Sequence, residues 1–227
     1  MSEFKKSFPA RKKIALDNRK LTLTTKCPTA EGKWSNLYWG LYSNNPRLTV
    51  YTGDPADKGF ENGKIAGHLG TNDFFALIQS LREAATQENN WREKWELKNY
   101  TFYGGKRSEH PTVVAELWIG KTKEGVIWIS IVDPKNKDRP RIQFPFMPND
   151  FTTLYSADGN PLDKGKVSAL YAKGYANVLD NLVAHLLVTE YVDESAKTST
   201  QKKEGGNNYG NTSKQQSSDV SDEDFPF

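Results

Sequence analysis

Apolar and polar residues alternate through much of the first half of the chain, and a period of two predicts strands with one buried face. Between Ile14 and Thr25, Leu21 and Leu23 fall opposite Lys20 and Thr22, which predicts a half-buried strand. Trp34 to Tyr42 alternates more sharply, with Leu37, Trp39 and Leu41 on one face and Trp34, Tyr38 and Tyr42 on the other. Asn44-Asn45-Pro46 signals a turn. Arg47 to Thr52 then predicts a strand with Leu48 and Val50 inward and Arg47, Thr49 and Tyr51 outward. Two successive strands would so present Trp34, Tyr38, Tyr42, Arg47 and Tyr51 on one surface. Residues 53–70 hold five glycines and Pro55, and read as a loop insertion.

The period becomes helical after Thr71-Asn72-Asp73, whose short polar side chains and early acid suit a helix start. Phe74, Phe75, Leu77, Ile78 and Leu81 follow at helical spacing, and Asn89-Asn90 ends the run. Trp95 to Tyr103 predicts a strand before Gly104-Gly105. The strongest hairpin signal comes next. Val113, Ala115, Leu117 and Ile119 alternate, Lys121-Thr122-Lys123-Glu124-Gly125 turns, and Ile127, Ile129 and Ile131 alternate again. A five-residue loop would set Ile119 opposite Ile127 and pair Trp118 with Trp128 on the outer face. Pro140, Pro145 and Pro148 break residues 139–150 into an irregular edge segment. Lys166 to Val192 predicts a long helix. Its stripe of Tyr171, Tyr175, Val178, Leu182 and Leu186, widened by Leu170, Leu179, Val183 and Leu187, packs on the sheet or on a second copy of the chain.

Three strands, a helix and a hairpin make a mainly β fold with helices. That order is the one of an oligonucleotide/oligosaccharide-binding barrel (OB-fold), a five-stranded Greek-key barrel with a helix between strands 3 and 4. Here a long C-terminal helix is added.

The 227 residues can hold one sizeable domain plus tails. Net charge is +3, but without the four acids of the last nine residues the remainder carries +7, which points to a polyanionic partner such as nucleic acid. Lys5, Lys6 and Arg11 make residues 1–11 a basic arm against Glu3 alone. The domain proper is expected over 12–192. After Asp193 the composition turns to Ser, Thr, Lys, Gln, Asn and Gly, read as a disordered linker over 193–218 with a reach of roughly 30 Å. Residues 219–227 form an acidic tail that closes on two rings around a proline. Such an end suits a partner with a small apolar pocket rimmed by Lys and Arg. A single cysteine, Cys27, excludes an internal disulfide. No apolar run reaches membrane length and no signal-peptide core follows Met1, so a cytoplasmic protein with no membrane partner is expected.

Asp222-Glu223-Asp224-Phe225-Pro226-Phe227 resembles the terminal peptide of bacterial and phage single-stranded DNA-binding proteins, in which an acidic run is followed by an apolar residue, proline and a final phenylalanine. Phe225 stands where the bacterial pattern usually has isoleucine. The resemblance implies an OB-fold, and the basic, aromatic-rich body, which resembles the larger phage members more than the short bacterial ones, implies a phage origin in a host cytoplasm. The resemblance also implies that this tail docks onto replication and recombination proteins such as a polymerase, helicase, primase or nuclease.

A sequence-tolerant binder of single strands needs cations along a groove and rings on which bases stack. The ring candidates are Trp34, Tyr38, Tyr42, Tyr51, Tyr100, Phe102, Trp118 and Trp128. The phosphate candidates are Lys20, Arg47, Lys98, Lys106, Arg107, Lys121, Lys123, Arg139 and Arg141. The expected role is to coat and protect single-stranded DNA, with self-association through the long helix. Enzymatic patterns are poor. His68, His110 and His185 lack ligand spacing and Cys27 has no partner, so no metal site or cofactor is predicted. Asp158-Gly159-Asn160 misses the spacing of a calcium loop and reads as a turn. Glu96-Leu97-Lys98 has no suitably spaced Asp on a preceding strand, and Gly63, Gly67 and Gly70 miss both phosphate-loop spacings. A metal-dependent DNA-processing enzyme and a protein-interaction adaptor are the competing readings.

Overall fold

A computed structural model describes residues 13–42, 44–57, 63–104, 106–136 and 138–192, with backbone alone at Phe102 and Tyr103. The basic arm over 1–11, the linker over 193–218 and the tail over 219–227 lie outside the described residues. The chain divides after Val192, and every described residue belongs to the first part.

Short polar side chains decide the first turns. Asp17 Oδ2 accepts from the Ile14 N–H at 2.7 Å, and Asn18 Oδ1 from the Lys20 N–H at 3.0 Å. Both bonds pull the backbone out of an extended path. The expected strand from Ile14 therefore begins as two 3-10 turns, Ala15–Asp17 and Arg19–Leu21, and only β1 (Leu23–Lys26) is extended. β1 pairs with β2 (Trp34–Tyr42), β2 with β3 (Asn45–Tyr51), and β3 with β4 (Lys64–His68), all antiparallel.

Strand β4 lies inside the expected loop insertion. Its inward positions are only Ile65 and Gly67, so a single apolar side chain carries the alternation. Gly67 sits where the two sheets meet. A Cβ there would lie 2.2 Å from Leu97 Cδ1 and 3.1 Å from Ile131 Cδ1. The chain adds a strand beyond the three expected before the helix.

The second sheet runs, in spatial order, β10 (Phe144–Pro145), β9 (Ile127–Val132), β8 (Thr112–Lys121) and β5 (Arg92–Asn99). The strand expected over Trp95 to Tyr103 stops at Asn99. There the Tyr100 N–H turns to Asn99 Oδ1 and the Thr101 N–H to Ser108 Oγ. A separate small hairpin follows, β6 (Phe102–Tyr103) with β7 (Lys106–Arg107). The β8–β9 turn is tighter than expected. Thr122 and Val126 still pair through the Thr122 N–H at 2.9 Å, and Gly125, at φ 81°, takes the left-handed position of a three-residue loop. The register moves accordingly: Ile119 faces Ile129, Trp118 faces Ser130, and Trp128 faces Gly120. Trp118 and Trp128 are not a cross-strand pair. The Trp128 indole instead lies over Gly120, where a Cβ would come within 2.3 Å of the ring.

Helix α1 (Thr71–Glu83) buries Phe74, Leu77, Ile78 and Leu81, as its spacing predicts. Helix α2 (Lys164–Thr189) is capped by Asp163, whose side chain accepts from the Lys166 N–H at 2.9 Å. Its buried stripe is rotated from the expected one. Ala172, Ala176, Leu179, Val183 and Leu186 face the core, while Leu170 and Val178 are exposed. The two alanines are fully covered, and small side chains let the helix approach closely. Arg82 of α1 bonds Asp180 at 2.5 Å and Asn177 at 2.9 Å, tying the helices together. Side chains from both sheets and both helices join one hydrophobic core. The architecture is thus a mixed α and β one, of two four-stranded antiparallel sheets, a two-stranded hairpin and two helices among the described residues. Beyond α2, the Asn44 side-chain amide donates to the Val192 carbonyl at 2.8 Å and accepts from the Val192 N–H at 2.9 Å.

Candidate functional site

Alternation on β2 and β3 buries Leu37, Trp39, Leu48 and Val50 and leaves a set of rings outside. Trp34, Tyr38, Tyr42 and Tyr51 are 55, 36, 60 and 40% exposed. The ladder sets the outer face in rows: Asn36, Tyr51 and Lys64; Tyr38, Thr49 and Ala66; Gly40, Arg47 and His68. Lys26 stands opposite Trp34 at the β1 edge. Edge-to-face contacts hold the rings, Tyr38 with Tyr51 at 5.8 Å and Tyr42 with His68 at 5.6 Å between centroids. Over this face opens a groove of about 630 Å³, lined by Tyr38, Gly40, Tyr42, Arg47, Tyr51 and Lys64 and walled by Lys13, Asp17 and Arg19 of the first turns.

No Asp or Glu occurs in any of the four strands of this sheet, whereas Lys26, Arg47, Lys64 and His68 do. Asp17 is the carboxylate at the wall, and it already accepts the Ile14 N–H. Arg47 Nε is buried without a hydrogen-bond partner. Burial first, and the Arg47 charge second, hold the His68 imidazole below its usual pKa. Such a concave face of cations and rings suits a flexible polyanion with flat, unpaired bases.

The structure gathers Tyr38, Tyr42, Arg47 and Tyr51 at this groove, with Trp34 at the far end of β2. Tyr100, Lys106 and Arg107 lie together elsewhere, on or beside the β6–β7 hairpin. There the Arg107 guanidinium stacks 3.4 Å from the Tyr100 ring centroid. The Phe102 side chain is outside the described residues. Lys98 on β5 is exposed and reaches Glu96 at 3.7 Å.

The remaining candidates are engaged differently. Trp118, half-buried on the second sheet, donates from Nε1 to Glu116 at 3.2 Å and sits 6.0 Å under Lys94 Nζ. Trp128 is half-buried over Gly120. Lys121 Nζ donates to the carbonyls of Ala85 and Gln87 just beyond α1, which serves the helix end rather than an open strand. Lys123 is exposed in the β8–β9 turn. Lys20 borders a separate, apolar hollow with Leu23, Phe146, Tyr171 and Val178. Arg141 is exposed beside Glu116 and Asp133.

Arg139 is committed elsewhere. It is 9% exposed and bonds Asp57 at 3.1 Å, Asp133 at 3.2 Å and the Lys64 carbonyl at 3.0 Å. Turning to a phosphate would abandon the buried Asp57 carboxylate, at a cost of about 3–5 kcal/mol.

Sequence reasoning missed Lys26, Lys64, His68 and Gly40. Lys26 was within reach through its alternation with Thr24, but Lys64 and His68 fell in the segment read as loop.

Among the described residues no group of three His, Cys, Asp or Glu side chains could hold a metal ion, and no helix is long and apolar enough to cross a membrane. The Asp158-Gly159-Asn160 segment is a turn, with Gly159 at φ 77° and the Ser156 N–H bonded to the Asn160 carbonyl at 2.8 Å. The chain has no significant match among family models, curated proteins or solved structures.

Proposed function

We propose that the chain is a non-catalytic binder of single-stranded DNA that grips its ligand on the outer face of β1–β4. It coats and protects exposed strands without reading their sequence. The observation that carries this is the acid-free face, with four exposed rings and Arg47 at its centre. Bases stack on Tyr38, Tyr51, Tyr42 and Trp34, and phosphates follow Arg47, Lys26 and Lys64. The element order of meander, helix and hairpin supports reading the two sheets as an elaborated OB-fold, in which the second and third strands form the oligonucleotide face. The resemblance of residues 222–227 to the tail of single-stranded DNA-binding proteins supports recruitment of replication and recombination proteins. The likeness of the basic, aromatic-rich body to the larger phage members supports a phage-encoded protein working in a host cytoplasm.

The test is a titration with oligothymidylate followed by tryptophan fluorescence, in which Trp34 reports from the face itself. Low-salt binding is expected, weakening with salt by about 0.7 log units per phosphate neutralised for each log unit of salt. Tyr38→Ala and Tyr51→Ala are each expected to weaken it by about 1–3 kcal/mol, and Arg47→Ala to reduce the salt slope by about 0.7. A folded protein that leaves oligothymidylate unbound in dilute buffer removes the reading.

A further inference from the structure

We propose that Gly40 forms the floor of a base-accepting slot, in which bases of an unpaired strand stack between Tyr38 and Tyr42 while a linking phosphate meets Arg47. The proposal rests on the function read above and specifies where the strand is held.

Glycine weakens a strand interior, so its presence at the centre of β2 calls for a reason. Backbone conformation is not that reason, because Gly40 is not among the positive-φ glycines. Crowding is not either: a Cβ at Gly40 would meet nothing within 4 Å. That open position lies between the two outward rings of the strand and directly across from Arg47 in the ladder. Tyr38 and Tyr42 are four residues apart, about 13 Å along an extended strand. Bases stack about 3.4 Å apart, so about three of them fit between the rings. Each ring is anchored by an edge-to-face neighbour, Tyr51 or His68. Arg47 supplies the cation beside the gap, across the ladder from Gly40. Gly40, both rings and Arg47 all line the same 630 Å³ groove. Any side chain larger than hydrogen at this position would occupy the space that the bases need.

The full-length chain carrying Gly40→Leu is compared with the unaltered chain on labelled oligothymidylate and on an abasic strand with the same number of phosphates. Gly40→Val, β-branched and suited to strands, is a second variant should leucine disturb the fold. Thermal unfolding monitors both. Unchanged or raised unfolding temperature, about tenfold weaker binding of oligothymidylate and little change on the abasic strand are expected. A folded variant that binds oligothymidylate as tightly as the unaltered chain overturns the slot, and so does equal loss on both strands. Failure of the unaltered chain to bind oligothymidylate removes the function reading itself, and the slot with it.

Discussion

His68 illustrates how a neighbour and partial burial set the charge of one side chain. It stands across the β3–β4 ladder from Arg47, and burial and that guanidinium both favour the neutral ring. A histidine whose pKa is lowered on folding binds its proton more readily in the unfolded chain. Stability is therefore lost as pH falls below about 6.5, and is fully present above that value. Urea unfolding across this window should show the slope, and His68→Asn should flatten it. A phosphate seated on Arg47 would offset the guanidinium, so oligothymidylate is expected to raise the His68 pKa, read by the imidazole proton shifts in NMR. Arg47 and Arg139 also show what a sequence withholds at this scale. Both are basic residues in polar surroundings, yet one faces a groove and the other is buried on Asp57. The partner that decides between them lies 82 positions away along the chain.

At the scale of elements, the legible parts were those whose signal is local. Outward rings on β2 and β3 follow from alternation alone, and α1 follows from its spacing and its first turn. Strand β4 was hidden because packing between sheets, rather than a run of apolar side chains, holds it in place. Gly67→Ala is accordingly expected to destabilise the protein by about 1–3 kcal/mol, since a methyl group would push into Leu97 and Ile131. A denaturant midpoint that falls with an unchanged slope would show this. The β8–β9 register was misread for a related reason. One glycine in the left-handed region shortens the loop, and every facing pair along both strands then changes partner. On α2, apolar residues surround the helix too evenly for the sequence to say which stripe faces inward. The small Ala172 and Ala176 decide it by fitting closest to the core.

For the molecule as a whole, the two sheets divide charge between them. The first carries no carboxylate in its strands. On the outer face of the second, Lys94 pairs with Glu96 at 2.9 Å and Glu116 at 3.5 Å. A polyanion would thus meet cations over strands that carry no acid, with Asp17 at the groove wall, on one side and largely neutralised charges on the other. Nothing local in the sequence announces that division, because it depends on which strands become neighbours. The paired bonds between Asn44 and Val192 tie the segment after α2 to the first sheet. They hold Val192, just beyond α2, to the bend between β2 and β3, so removing residues 190–192 unhooks that bend. A chain shortened to end at Val192 should keep its resistance to urea. One shortened to end at Thr189 should lose about 1–4 kcal/mol, the worth of three hydrogen bonds with that from the Glu190 N–H to the Leu186 carbonyl, and would show faster amide exchange around Tyr42.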